Sequence, residues 1–246
     1  DMILEGGTYG CYDDYTVTIR AKNGLNMGDI ATGGMRNDTF KVEVKHLPSG
    51  NSCWGYIAVE DKLPPVAVCK DLFLPCVENN FDPAYLRNEL LVLDTYPVAS
   101  DNCGIPSRDF IDNPMTDLPC GTLVNGREVS AYFVRKWVFV DGAGNQTTCE
   151  QYIYLERRGI ADIVKPNSVS LPCTGNLTII PFQQPHIVNG VPMPYIAFNG
   201  IPIPLWPNVG MCELSLSYTD DTLAICTGSY TINRKWTFLD WCQPTE

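Results

Sequence analysis

The sequence has few of the residues and patterns from which common enzymes build their sites. Only two histidines are present, His46 and His186, and their contexts are unlike. There is no HExxH, no GxSxG, no Walker-type phosphate loop and no dinucleotide-binding glycine pattern. Adjacent acids such as Asp220 and Asp221 occur, but neighbours on a strand point to opposite faces and rarely converge. The sequence therefore predicts no catalytic residues and no enzymatic activity.

Long apolar runs and an excess of basic residues are also missing. No segment is long and apolar enough to span a bilayer, and residues 1–10, DMILEGGTYG, have neither the basic nor the apolar part of a signal peptide. The 28 acidic residues outnumber the 17 basic ones, which gives a net charge of −11. Such a protein is repelled by nucleic acid and by anionic membranes. We expect an exported chain, its signal peptide removed, that neither binds nucleic acid nor inserts into a membrane.

Eleven cysteines are spread along the chain without CxxC pairs. Because only two histidines could complete a zinc site, this pattern favours disulfides formed in an oxidising extracellular space. No metal site or cofactor is assigned. Calcium is left open, since oxygen ligands from Glu60, Asp61 and Asp101 would meet if the SDNCG turn folded back towards the EDKLPP joint.

Six segments alternate apolar with polar residues and are rich in β-branched and aromatic side chains, which predicts half-buried strands. They are YDDYTVTIRA, FKVEVKHL, WGYIAVED, SAYFVRKWVFVD, EQYIYLERR and SYTINRKWTFLD. One short helical turn is predicted near DPAYLRNELL. The sequence indicates an all-β fold of sandwich modules.

A heptapeptide occurs twice, as RKWVFVD at 135–141 and RKWTFLD at 234–240. A buried strand is repeated when a module is repeated, because each copy has its own core to fill, and Trp137 and Trp236 are predicted core residues. Aligning the copies predicts three modules, residues 1–63, 64–159 and 160–246, of which the first is incomplete. The third carries an apolar, proline-rich insertion at 181–210 and lacks its last strand.

The stretches NSCWGYIAVEDKLPP, VASDNCG and RKWVFVDGAGNQTTC resemble the hyalin-repeat-like, immunoglobulin-like modules of very large surface and secreted proteins of Bacteroidota, including gliding-motility-associated adhesins. This resemblance implies tandem immunoglobulin-like β-sandwiches, export by a type IX-like route to the cell surface or medium, and adhesive or fibre-forming roles without enzymatic activity. Three Asp-Thr-apolar triplets resemble the O-glycosylation signal of that phylum. Their threonines are Thr222, Thr39 and Thr95, of which Thr222 fits best.

The repeat constrains disulfide pairing without fixing it. If Cys212 pairs with Cys242, Cys103 has lost its partner and is a free thiol. The remaining predicted pairs are Cys11–Cys53, Cys69–Cys149, Cys76–Cys120 and Cys173–Cys226. The alternative is that Cys103 pairs with Cys120 and leaves Cys76 free.

The stretch NGVPMPYIAFNGIPIPLWPN at 189–208 contains its own ten-residue repeat. Its prolines exclude it from a central strand, which predicts an edge or a projecting hairpin with Asn-Gly turns. Its large apolar residues either cover the end of their own sandwich or form a contact with another subunit or ligand. The residues assigned to such a contact are Met193, Tyr195, Phe198, Ile203 and Trp206.

These features lead to one main functional expectation and one alternative. The main expectation is a structural, non-enzymatic repeat protein of an extracellular filament, fibre or adhesin stalk, with copies of itself or neighbouring repeats as partners. The alternative is a carbohydrate-binding or adhesive module in which exposed aromatics of the 189–208 insertion, such as Tyr195 and Trp206, stack on the sugar rings of surface glycans. The strand 234–240 should have an open edge that another strand completes, either residues 1–7 of the next subunit or a continuation of the same polypeptide.

Overall fold

The computed structural model describes residues 12–104, 106–168, 187–188, 191–206, 209–226 and 229–242. Strands dominate these residues. Three short 3-10 helices, Tyr12–Asp14, Gly33–Met35 and Ile160–Asp162, and one α-helix, α1 (Pro83–Asn88), accompany them. All six segments predicted to be strands contain strands, so the all-β class is confirmed. None of the helices in these residues has the length and apolarity needed to cross a bilayer.

In chain order the strands are β1 (Tyr15–Arg20), β2 (Asn26–Gly28), β3 (Asp38–His46), β4 (Ser52–Val59), β5 (Val66–Val68), β6 (Leu72–Pro75), β7 (Val98–Ser100), β8 (Ser107–Asp112), β9 (Thr116–Asp117), β10 (Leu123–Val124), β11 (Arg127–Val140), β12 (Gln146–Glu156), β13 (Ile163–Val164), β14 (Ile187–Val188), β15 (Val191–Pro192), β16 (Tyr195–Phe198), β17 (Ile201–Pro204), β18 (Leu214–Cys226) and β19 (Ser229–Asp240).

The chain divides into two compact units whose segments alternate along the sequence. The first unit comprises Asp1–Val68, Val98–Asp109 and Val138–Cys149, and the second comprises Cys69–Pro97, Phe110–Trp137 and Glu150–Glu246. This division does not follow the predicted boundaries after residues 63 and 159. The predicted second module contributes segments to both units.

The first unit contains an antiparallel sheet in the order β2-β1-β3-β4. Apolar residues alternate along β1 and β3, so Ile19, Phe40 and Val42 point to one face and are buried there with Met35. The short strand β5 pairs antiparallel with β7, with Val66 opposite Ser100. This pairing brings the SDNCG turn, which follows β7, to the joint, which precedes β5.

The second unit contains a larger sheet in the order β10-β11-β12-β6, in which β8 and β9 also pair with β11. Strand β6 runs parallel to β12, with Leu72 opposite Ile153 and Leu74 opposite Leu155. These four side chains are buried on one face of the sheet. Helix α1 forms where DPAYLRNELL predicted a helical turn; it begins after Asp82, whose Oδ1 accepts bonds from the backbone N–H of Ala84 (2.9 Å) and Tyr85 (3.0 Å).

The segment after residue 190 packs into the core of this same unit. Ile196, Leu205 and Leu214 are buried in one apolar cluster with residues of β6, α1, β11 and β12. Arg157, at the end of β12, is almost fully buried and its guanidinium donates to Asp240 at the end of β19. A core shared in this way explains why the predicted modules 64–159 and 160–246 are not separate compact units.

Candidate functional site

The first RKW sequence, on β11, holds its arginine inside the core. Arg135 is 1% exposed, and its Nε and Nη2 donate to the carboxylate oxygens of Asp112 at 2.6 Å and 2.7 Å. The guanidinium carbon lies 4.3 Å from the ring centre of Phe110. Trp137, two residues further on, is buried as predicted and donates to Gln151 Oε1 at 3.0 Å.

The second RKW sequence, on β19, has the same set of neighbours. Arg234 donates from Nε and Nη2 to Asp220 at 2.7 Å and 2.6 Å, and its guanidinium carbon lies 4.1 Å from the ring centre of Tyr218. The ring of Trp236 lies 5.2 Å from that of Tyr218. Each Arg-x-Trp therefore faces an aromatic-x-Asp triplet on a preceding strand. The prediction that both tryptophans are core residues is confirmed for Trp137, whereas Trp236 is half-buried. The arginine–aspartate pairs were not predicted from the sequence, although the two aromatic-x-Asp triplets share the same spacing.

The two RKW strands differ in their neighbours. β11 pairs with β12 and also with β8, β9 and β10. In the described part of the chain β19 pairs with β18 alone, from Leu214↔Asp240 to Cys226↔Ser229. Leu223 and Ile232 on this hairpin are half or more exposed. A two-stranded ribbon is marginally stable alone, so this free edge is the first candidate site of interaction.

The described part of the 189–208 stretch covers its own core. β16 and β17 form a hairpin whose turn, Asn199-Gly200, has φ angles of 50° and 80°, as the Asn-Gly sequence predicted. Asn199 Nδ2 donates to the carbonyl oxygen of Leu90 at 2.9 Å, which fixes the turn near α1.

This arrangement favours one of the two roles considered for the apolar residues of the stretch. Met193 is 5% exposed, and Phe198 and Ile203 pack against the core cluster. Trp206 lies 5.4 Å from the Tyr218 ring and 6.3 Å from the Trp236 ring, while Tyr195 is half-buried. The assignment of these residues to a contact with another subunit or ligand is therefore wrong for Met193, and the inward packing favours covering of their own core.

The disulfides differ from the predicted pairs. Cys76 bonds Cys212 and Cys120 bonds Cys242, with Cα–Cα distances of 5.0 Å and 5.4 Å. The predicted pairs Cys76–Cys120 and Cys212–Cys242 are therefore wrong, as is the alternative with a free Cys76. The physical reason is a contact distant in sequence: the backbone N–H of Met211 donates to the carbonyl oxygen of Cys76 at 2.8 Å, which places the next residue beside Cys76.

The remaining cysteines are resolved in part. Cys69 and Cys149 are disulfide-bonded. Cys103 has a free thiol, the state expected from the sequence, and Cys53, which is exposed, has no disulfide partner among the described residues. Cys11, Cys173 and the side chain of Cys226 lie outside the described residues, so their predicted pairs stay predictions.

The three candidate glycosylation threonines differ in exposure. Thr222 lies on β18 and is exposed, and Thr39 on β3 is half-buried. Thr95 is 1% exposed, and its hydroxyl has no hydrogen-bond partner among the described residues. Burial of Thr95 argues against its modification in the folded chain, which a triplet alone does not report, and the assignment stays a prediction.

The candidate calcium ligands are brought together only in part. Glu60 is exposed and pairs with Lys62 at 2.7 Å. Asp61 and Asp101 lie together with Cys103, with one ligand atom of each residue within 4.8 Å of the other two. The β5–β7 pairing causes this meeting of the joint with the SDNCG turn.

The histidines do not form a catalytic group in the described residues. His46 Nδ1 lies 2.7 Å from Ser49 Oγ, and its ring packs against Tyr15 at 4.9 Å. His186 lies outside the described residues. Comparison with models of known protein families gives no match, and comparison with curated proteins gives none either.

Proposed function

We propose that this protein is a structural, non-enzymatic subunit of an extracellular filament or adhesin stalk, built from immunoglobulin-like β-sandwich modules. The observation that carries the proposal is the unpaired edge of β19 in the described residues. Exported proteins do not normally leave a long edge open, because it recruits other strands.

The comparison of the two RKW strands supports strand addition at this edge. The first copy of the heptapeptide lies in β11 and has the same arginine, aspartate and aromatic neighbours as the copy in β19. Unlike β19, β11 pairs with strands on more than one side. The position beside β19 that corresponds to β12 would accept an extended segment by main-chain hydrogen bonds. In our proposal a neighbouring copy supplies this segment, with residues 1–7, DMILEGG, as the donor.

Disulfide bonding supports a role outside the cytosol. Two bonds with sequence separations of 136 and 122 residues close long loops of the second unit. Disulfides persist in oxidising compartments, and long closures restrict the unfolded chain strongly. A filament subunit under mechanical load would benefit from both effects.

Light scattering coupled to size-exclusion chromatography tests the proposal. We expect the protein to form species that are multiples of 27.3 kDa. Ile232→Lys, which adds a charge to the exposed hairpin, should reduce them to single chains, whereas Leu25→Lys, at an exposed position in the first unit, should leave them unchanged. A single 27.3 kDa species at all concentrations, or equal effects of both substitutions, would contradict strand addition at β19.

A carbohydrate-binding role is the second candidate, and one observation favours it. Trp54 and Tyr56 on β4 are 61% and 68% exposed, with ring centres 5.7 Å apart, and Lys41 Nζ lies 4.7 Å from the Trp54 ring. Aromatic faces beside polar groups can stack on sugar rings. A glycan array should lose its signals with Trp54→Ala but not with Trp241→Ala, which removes an equally exposed tryptophan elsewhere; an array without signals would exclude this role.

A further inference from the structure

The Asp61–Asp101–Cys103 cluster is built from two segments of the first unit. Asp61 follows β4, and Asp101 and Cys103 lie in the turn after β7. One carboxylate oxygen from each aspartate and the Cys103 sulfur lie within 4.8 Å of one another. Asp61 is only 9% exposed, so its carboxylate is largely removed from water.

Both carboxylates have one oxygen that lacks a hydrogen-bond partner. Asp61 Oδ1 accepts from the backbone N–H of Leu63 at 3.3 Å, and Asp101 Oδ1 accepts from that of Cys103 at 2.8 Å. The Oδ2 atoms of both aspartates are shielded from solvent and unpartnered. A buried carboxylate beside a second, half-buried one is unfavourable unless a positive charge compensates them.

The nearest cation does not supply that charge by direct pairing. Arg36 Nη1 donates to the backbone carbonyl oxygens of Gly33 and Cys103, and within the described residues no ion pair joins Arg36 to either aspartate. Asn145 Nδ2 donates to the carbonyl oxygen of Asp61 at 3.0 Å, so it braces the backbone and not the free Oδ2. The two Oδ2 atoms thus remain available to a ligand.

We propose that Asp61, Asp101 and Cys103 bind a divalent cation of the zinc class. Zinc takes thiolate and carboxylate ligands in a tetrahedral arrangement, and three protein ligands leave its fourth position to water. Its bonds of about 2.0–2.3 Å require the ligand atoms to move closer together by roughly 1 Å. Calcium fits less well, because it needs six to eight oxygens and Glu60 is turned away to Lys62.

The state of Cys103 gives the binding a measurable signature. Metals bind cysteine as the thiolate, so the proton of the free Cys103 thiol has to leave when a cation binds. Cation binding replaces that proton, so one proton should be released per cation bound.

A titration with Zn²⁺, and with Co²⁺ as a spectroscopic probe, tests the site on the whole chain after free thiols have been counted. We expect one equivalent to bind, with proton release and a thiolate-to-cobalt absorption band. Cys103→Ser should abolish the band and weaken Zn²⁺ binding at least tenfold. Cys53→Ser removes the exposed free thiol of the same unit. This variant should change neither the cobalt absorption band nor the affinity for Zn²⁺.

Asp61→Asn provides a second variant, whose fold circular dichroism would verify. It should keep the thiol but weaken Zn²⁺ binding at least tenfold. No binding by the wild type, an absorption band that survives Cys103→Ser, or a Cys103 oxidised in the purified protein would overturn the proposal. Tight Ca²⁺ binding unaffected by Cys103→Ser would overturn it in favour of an oxygen-only site.

Discussion

Arg135 and Asp112 form a two-bonded ion pair in which the arginine is almost completely buried and the aspartate remains one-third exposed. Removal of one partner of a buried pair leaves an uncompensated charge in the core. We expect Asp112→Asn to lower the free energy of unfolding by about 2–3 kcal/mol, below the value for a fully buried pair because water reaches Asp112. Urea denaturation measures this change.

The matched control for this pair is Lys22→Gln. Lys22 Nζ lies 3.0 Å from Asp38 Oδ1, but both side chains are more than half exposed. We expect no measurable change in the free energy of unfolding, because solvent screens an exposed ion pair. Equal effects of Asp112→Asn and Lys22→Gln would show that the buried arginine does not stabilise the core.

The Arg234–Asp220 pair predicts acid sensitivity of the β18–β19 hairpin. The hydrogen bond from Arg234 holds the pKa of Asp220 below its usual value, although partial burial opposes this. Because the folded pKa is lowered, the pair stabilises fully above the ordinary aspartate pKa of about 3.9 and progressively less as the pH falls below it. The Tm difference between the wild type and Asp220→Asn should be constant from neutral pH to about pH 5 and should shrink below about pH 4. A difference that grows in acid would refute this assignment.

The disulfide pattern predicts which peptides stay joined without reductant. Proteolysis followed by mass spectrometry should recover Cys76 with Cys212 and Cys120 with Cys242. The double substitution of Cys76 and Cys212 by serine should cost about 2–5 kcal/mol of stability. Recovery of Cys76 with Cys120 would instead restore the pairing expected from the repeat.

Exposure predicts the order of modification among the Asp-Thr-apolar triplets. If the source glycosylates them, glycopeptide mapping should find glycan on Thr222, less on Thr39 and none on Thr95, whose side chain is buried. Thr222→Ala should remove the main glycan mass. Glycan on Thr95 would mean that modification precedes folding.

Local sequence patterns were sufficient to predict the strands and helix α1. Alternation along β1, β3 and β11 reports which face is buried, and the Asp82-Pro83 pair is a local helix start. Contacts distant in sequence were beyond such patterns. A lone arginine is normally read as a surface residue, so burial of Arg135 needed knowledge of Asp112 on another strand.

The candidate sites also depended on contacts between residues that are distant in sequence. The meeting of Asp61 with Asp101 was foreseen only on condition that the turn folded back, because the β5–β7 pairing that causes it involves two very short strands. The inward packing of Met193 and Ile196 depends on the core that β6 and β12 present, which the proline-rich sequence does not encode locally.

Electron microscopy of the purified protein tests the central claim most directly, because assembly by strand addition at β19 must produce an ordered polymer. We expect long fibres of uniform width with a regular repeat along the axis, and we expect Ile232→Lys to shorten or abolish them. Dispersed single particles in the wild type, under conditions that keep its disulfides intact, would contradict the claim.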